Sequence, residues 1–406
     1  MNFATKLLHG IKSDKLTGST TSPIYQTAAY QQETAEQMES IFKGKRAGFV
    51  YTRVGNPTVA TFERRLANLE RGLGAVAFAS GMSAISMAIM NVVETGDEII
   101  SSSGLFGGTS ALFKDLESFG VKTRYALENT ANAFRELLSN RTKLLYVETI
   151  GNPKLDVADI KALAEVAHSE GLPLFVDNTV TTPYLIRPLE LGADVVIHST
   201  SKMINGGGNS IGGVVVCGSK FKWNADKFPK LKEFDGLGSM GYLVRLRNRM
   251  LMNFGGCAAP LNIYLTNIGL DTLELRMERS CSNALALAEF LNSKGIQVNY
   301  IGLPNNPYHD LAKVQFNDHF GTMLTIKLGT KKNAFKFINS LNFALNVSNI
   351  GDSRTLVVHP SSTIFLNATE QEKKQSGVSE DMVRVSVGLE ASSDLIYDFN
   401  QALENC

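Results

Sequence analysis

Two stretches decide how this chain is read: Leu174-Phe-Val-Asp177-Asn-Thr179, and Asp194-Val-Val-Ile-His-Ser-Thr-Ser-Lys202 running into Met203-Ile-Asn-Gly-Gly-Gly208. Each opens as a short apolar run of strand length and closes in polar residues. About 25 residues separate Asp177 from Lys202, which suits one crossover between two parallel strands. An acid and an amine would then face one crevice from two strand ends, where open α/β sheets bind their ligands. Partial desolvation lowers the pKa of such a lysine and makes it a usable nucleophile or base. Each residue alone also fits a plainer role, an exposed loop lysine or a capping aspartate.

The alternation extends outward over residues 57–218. Strands are expected at Ala75–Ala79, Glu98–Ser101, Val121–Tyr125, Lys143–Val147, Leu172–Val176, Asp194–Ile197 and Gly213–Cys217. Between them, Thr58–Arg71, Ser83–Val93, Gly108–Phe119, Asn132–Leu138 and Val157–Glu170 repeat apolar residues three and four apart, as helices do. Asn56 followed by Pro57 is a sound helix start. Strand–helix alternation implies an α/β fold with a mostly parallel central sheet covered on both faces. After about residue 250 the pattern changes. Helical segments Pro260–Leu270 and Asp271–Leu291 precede strand-like runs at Ile296–Ile301, Thr322–Leu328, Thr355–Val358 and Val383–Val387, then a last helix at Leu395–Leu403. That reads as a smaller C-terminal α+β domain. The expected division is an N-terminal arm, 1–55, a large domain, 56–252, and a small domain, 253–406.

A third signal lies at Ala75-Val-Ala-Phe-Ala-Ser80-Gly-Met-Ser83, a strand passing through a glycine into a helix. Free backbone N–H groups at such a helix start, with the helix dipole, can bind a phosphate. Neither a G-x-G-x-x-G nor a G-x-x-x-x-G-K-[ST] loop is present, which argues against a nicotinamide or nucleotide site. A lysine, an aspartate and a phosphate cradle together suit pyridoxal 5'-phosphate. The lysine forms a Schiff base, and the carboxylate keeps the pyridine nitrogen protonated so the ring can act as an electron sink.

Composition narrows the alternatives. The 406 residues carry 40 Lys+Arg against 39 Asp+Glu, a net charge of +1 that does not favour a nucleic-acid surface. At 44% hydrophobic and 19% charged residues, the chain can fill a large core. No apolar run approaches the roughly 18 residues of a membrane span, and the start lacks the apolar core of a signal peptide. A soluble, cytoplasmic protein is expected. Cys217, Cys257, Cys281 and Cys406 are spread without a C-x-x-C pair, and the six histidines are equally scattered, so no metal site is expected.

The three signals sit among further motifs: Pro23-Ile-Tyr-Gln-Thr27, Tyr51-Thr-Arg-Val-Gly-Asn-Pro-Thr58, Glu148-Thr-Ile-Gly-Asn-Pro153 and Arg384-Val-Ser-Val-Gly-Leu-Glu390. In this number and order they resemble the Cys/Met-metabolism family of pyridoxal-phosphate enzymes, with its aspartate-aminotransferase-like fold, over nearly the whole chain. The resemblance implies that Lys202 holds the cofactor and shuttles protons while Asp177 pairs with the pyridine nitrogen. It implies a phosphate site of Ser80, Gly81, Met82, Ser199 and Ser201, with Thr179 also at the cofactor and Asn152 near its ring oxygen. Tyr51 and Arg53 match residues that reach the phosphate of a neighbouring subunit, Tyr51 with a catalytic part as well, so at least a homodimer is implied, and the family resemblance implies a dimer of dimers. Arg384 matches the binder of the substrate α-carboxylate, a task suited to a planar guanidinium, and Asn349 would assist through its backbone. Two positions depart from the family pattern. Leu105-Phe106-Gly107 has phenylalanine where a stacking tyrosine is usual, and Gly206-Gly207-Gly208 lacks a common central histidine. Phe106 can still stack but leaves any acid role to Lys202, Tyr51 or water.

Family members share chemistry at the γ-carbon, and the core motifs do not separate replacement from elimination. The segments Lys222-Trp223, Lys227-Phe-Pro229, Gly269-Leu-Asp-Thr-Leu-Glu-Leu-Arg-Met-Glu278 and Val347-Ser-Asn-Ile-Gly-Asp-Ser-Arg-Thr-Leu-Val-Val-His-Pro360 resemble the O-acetylhomoserine sulfhydrylase branch. The resemblance therefore implies replacement of acetate by sulfide to give homocysteine, in methionine biosynthesis. The sulfur donor could be sulfide, a thiol or a sulfur-carrier protein. The competing readings are a methionine or cystathionine γ-lyase, a cystathionine γ-synthase, and a cofactor-binding regulatory or inactive partner subunit.

Overall fold

The computed structural model describes residues 1–11 and 18–406; the part of the expected arm at 12–17 lies outside them. Seven strands form the large sheet: β1 (Gly74–Phe78), β2 (Glu98–Ser102), β3 (Lys122–Ala126), β4 (Thr142–Glu148), β5 (Leu174–Asp177), β6 (Val195–Ser199) and β7 (Gly213–Cys217). Their order is β1-β7-β6-β5-β4-β2-β3. Pairing is parallel from β6 through β3, whereas β7 runs antiparallel to both β1 and β6. All seven expected strands are present, with no end displaced by more than two residues and Gly213–Cys217 matched at both ends.

Helices cover both faces of this sheet. One face packs Phe62, Leu66, Leu163 and Val166 against Leu145, Val176 and Val196, and the other packs Ile85, Ile89 and Phe113 against Leu144, Phe175 and Val195. Burial on both sides is why these strands read as nearly unbroken apolar runs. At one corner the single tryptophan, Trp223, stacks on Tyr242 with ring centroids 4.5 Å apart.

The second sheet is formed by β8 (Gln297–Asn299), β9 (Met323–Lys327), β10 (Leu345–Asn346), β11 (Leu356–Val358) and β12 (Met382–Ser386), in the order β10-β11-β12-β9-β8. Helices Leu273–Ser293, Lys331–Ser340 and Ser392–Glu404 close over it, burying Leu287, Phe337 and Phe399 with Leu324 and Val385. The helices at His309–Gln315 and Lys331–Ser340 and the two-residue β10 were not expected from the sequence.

Within the expected arm, the described residues include two helices. Phe3–His9 is a helix whose Leu7 is only 2% exposed. Arg65 and Asn68 of helix Pro57–Glu70 donate to the carbonyls of Leu7 and Gly10, which moors this helix to the body. A second helix, Ala35–Phe42, capped by Thr34, buries none of its residues. Among the described residues no helix is long and apolar enough to cross a membrane, and no group of His, Cys, Asp and Glu could hold a metal ion.

Candidate active site

The carboxyl ends of β4, β5 and β6 open into a cavity of about 490 Å³, the range of small-molecule sites. Helix Gly81–Met90 begins at its floor. The Ser80 hydroxyl caps that helix by accepting from the Ser83 N–H at 3.1 Å. Close approach explains the glycines here. A Cβ on Gly81 would lie 2.6 Å from Ser199 Cβ, and one on Gly213 would lie 2.2 Å from the Ser80 carbonyl oxygen. The helix start, the end of β6 and the start of β7 are therefore pressed together, and Ser80, Gly81, Met82, Ser199 and Ser201 line the cavity at a helix N-terminus, whose first N–H groups have no partner within the helix.

Lys202 follows β6 by one turn, with its N–H bonded to the Ser199 carbonyl at 3.3 Å. Its ammonium donates to Asn349 Oδ1 at 2.5 Å. Burial, then the charge of Arg384, pulls its pKa down to about 8. Arg384, in the middle of β12, is 3% exposed and donates to Asn152 Oδ1 and the Asn349 carbonyl oxygen, each at 3.1 Å. Burial lowers its pKa to about 10, still charged at neutral pH. The side-chain acceptors of these two cations are amide oxygens rather than carboxylates, so both retain capacity for an anionic ligand.

Asp177 ends β5. Its carboxylate accepts from the Thr179 N–H at 2.9 Å and the Tyr146 hydroxyl at 3.4 Å. Burial raises its pKa, opposed by the Thr179 hydrogen bonds and by His198. Thr179 also bridges the two strand ends, because its hydroxyl accepts from the Ser199 N–H at 2.8 Å. Beneath them, buried Glu70 accepts from Asn178 Nδ2 at 2.8 Å and lies 2.7 Å from His198 Nε2. The Asp177–Thr179 turn and the Ser199–Lys202 turn are thus tied together twice.

Every residue expected in the site lines this cavity except Tyr51 and Arg53. Tyr51 is 46% exposed, with the Arg53 guanidinium 5.4 Å from its ring centroid, and Arg53 donates to the Met252 carbonyl. Asn349 contributes more than the expected backbone role, since its side chain holds Lys202. Glu148, Ser348, Ile350, Ile211 and Ile364 also line the cavity without having been assigned a part from sequence. Glu148, Ser348 and Ile350 were legible only as members of their motifs, whereas Ile211 and Ile364 are brought in by other loops.

The donor set fits pyridoxal phosphate. A desolvated amine, a buried carboxylate wanting a positive partner, a helix start flanked by hydroxyls and an aromatic ring, Phe106, surround one cavity.

The model of the Cys/Met metabolism PLP-dependent enzyme family matches residues 4–404. The chain is 40% identical over 421 residues to the homocysteine synthase of Schizosaccharomyces pombe, covering 99% of this chain and 98% of that protein. It is 38% identical over 427 residues to the O-acetyl-L-homoserine sulfhydrylase of Leptospira meyeri, covering 99% and 96%. A putative O-acetylhomoserine (thiol)-lyase from Campylobacter jejuni, solved with N'-pyridoxyl-lysine-5'-monophosphate, superposes over 100% of both chains with a TM-score of 0.95 at 32% identity.

Proposed function

This chain belongs to the Cys/Met-metabolism family of PLP-dependent enzymes, and from that premise we propose that it exchanges the acetate of O-acetyl-L-homoserine for sulfide. The C–O bond at Cγ breaks, acetate leaves with both its oxygens, and a C–S bond forms, giving L-homocysteine. One observation carries this: an unneutralised guanidinium and a desolvated amine share Asn349 inside a cavity that fits the cofactor.

Lys202 would hold pyridoxal phosphate through Nζ, Asp177 would face its ring nitrogen, and Ser80, Gly81, Met82, Ser199 and Ser201 would hold its phosphate. Phe106 would stack, with Asn152 and Thr179 at the ring's edge. When bound, the cofactor supplies an electron sink for charge developing on an attached amino acid. Arg384 would clamp the substrate carboxylate bidentately, its own orientation set by Asn152 and the Asn349 carbonyl oxygen. That leaves the Lys202 amine to take and return protons at the substrate's Cα and Cβ; a value near 8 suits such traffic. The wall formed by Ile85, Ile211, Ile350 and Ile364 offers an apolar surface to the ester methyl.

Tyr51 and Arg53 would serve the phosphate of a neighbouring subunit, which needs at least a homodimer; a dimer of dimers rests on the family resemblance. Mixing K202A chains with R53A chains should then restore activity that neither has alone; no recovery removes the shared site. A cytoplasmic location and a sulfur-carrier protein as donor fit the same reading. The deciding assay supplies O-acetyl-L-homoserine and sulfide and follows homocysteine. Faster cleavage of methionine or cystathionine would overturn the proposal in favour of a lyase.

A further inference from the structure

Glu148 and Asp177 end adjacent parallel strands and are register partners, and both line the cavity. Two buried carboxylates side by side cannot both ionise cheaply. Their surroundings differ. Asp177 has the Thr179 N–H, the Tyr146 hydroxyl and the favourable field of His198. The charges that bear most on Glu148 are both negative, Asp177 and Asp156, and its ionisation is pushed well above the usual carboxylate range, first by burial and then by Asp177. Its Oε1 accepts from the Phe106 N–H at 2.7 Å, at the turn that starts helix Gly107–Glu117.

We propose that Glu148 is a positioning residue that works uncharged: a neutral carboxyl that fixes the Phe106 turn against the cavity and leaves Asp177 as the one negative charge facing the ring nitrogen. This rests on the cofactor reading of the cavity. A charged Glu148 would raise the cost of ionising Asp177, whereas a shorter side chain would release Phe106. The site needs reach without charge.

The test compares E148Q, which keeps the length and an acceptor oxygen but cannot ionise, with E148D, which can ionise but is one methylene short. Cofactor dissociation constants are read by titrating cofactor-depleted protein with pyridoxal phosphate, alongside the absorbance of the lysine-bound cofactor. E148Q is expected to stay within about threefold of the unmodified protein with the same absorbance maximum, and E148D to bind at least about tenfold more weakly, the equivalent of one lost hydrogen bond. Circular dichroism checks that both variants fold. Loss of cofactor by E148Q overturns the proposal, since the charge would then be needed. Retention by both variants overturns it too, since reach would not matter. Failure of the unmodified protein to bind the cofactor would instead sink the cofactor reading itself.

Discussion

The two sheets serve the cavity differently. The large sheet presents Glu148, Asp177 and Ser199 from the last positions of neighbouring strands, so a single register fixes their spacing. The small sheet offers Arg384 from the middle of β12, flanked by β9 and β11, with Asn349 on the loop leading into β11. Strand ends can hold several groups around one rigid ligand; a mid-strand guanidinium, locked on both sides, grips one anion in one orientation. In the proposed reading the large sheet would therefore serve the cofactor and the small one the substrate, and Asn349 joins them by touching Lys202 and Arg384 at once.

Substitutions can break this division of labour. Lys202→Ala should cut turnover by about 10³-fold or more, since it would remove both the proposed attachment point and the proposed proton carrier. Loss of the imine absorbance with pyridoxal phosphate present checks it. Arg384→Ala should weaken substrate binding by roughly 10²-fold, because a buried charged hydrogen bond is typically worth 2 kcal/mol or more. If the two sheets have separate tasks, cofactor affinity in that variant stays unchanged while KM rises. Arg384→Lys should recover only part of the loss, since an ammonium cannot make two parallel bonds.

The smallest effect concerns pH. A lysine whose folded value is lowered to about 8 is mostly neutral above that pH and mostly protonated below it. The rate at which cofactor-free protein captures pyridoxal phosphate should therefore fall about tenfold per pH unit below 8 and level off above it. A rate that keeps rising about tenfold per pH unit well above pH 8 would show that the amine is not desolvated as the cavity suggests.

Much of this is legible in the sequence. The large-sheet strands announce themselves because burial on both faces demands continuous apolar residues, as in Gly213–Cys217, where all five are buried. Strand β10 gives no such signal: Leu345 and Asn346 are both exposed at a sheet edge. Helix Lys331–Ser340, capped by Thr330, shows only a short apolar stripe, Ala334, Phe337 and Ile338, in an otherwise polar segment. Within the site, Asp177 and Lys202 could be found from local sequence, since Asp177 ends its strand and Lys202 follows the end of the next one by a single turn. Glu148 and the Asn349 side chain could not be given roles, because those roles come from partners on other elements: Asp177 across the β4–β5 register, and Lys202, which lies 147 positions away.

The solitary tryptophan has a practical bearing on how the chain's unfolding can be watched. Trp223 packs with Tyr242, Phe228 and Phe221 at a corner of the large sheet, and no counterpart marks the small one. Its emission is a private gauge of one half of the molecule. Denaturation followed by fluorescence and by far-ultraviolet ellipticity would coincide if the halves melt as a unit, and would separate if either gives way first.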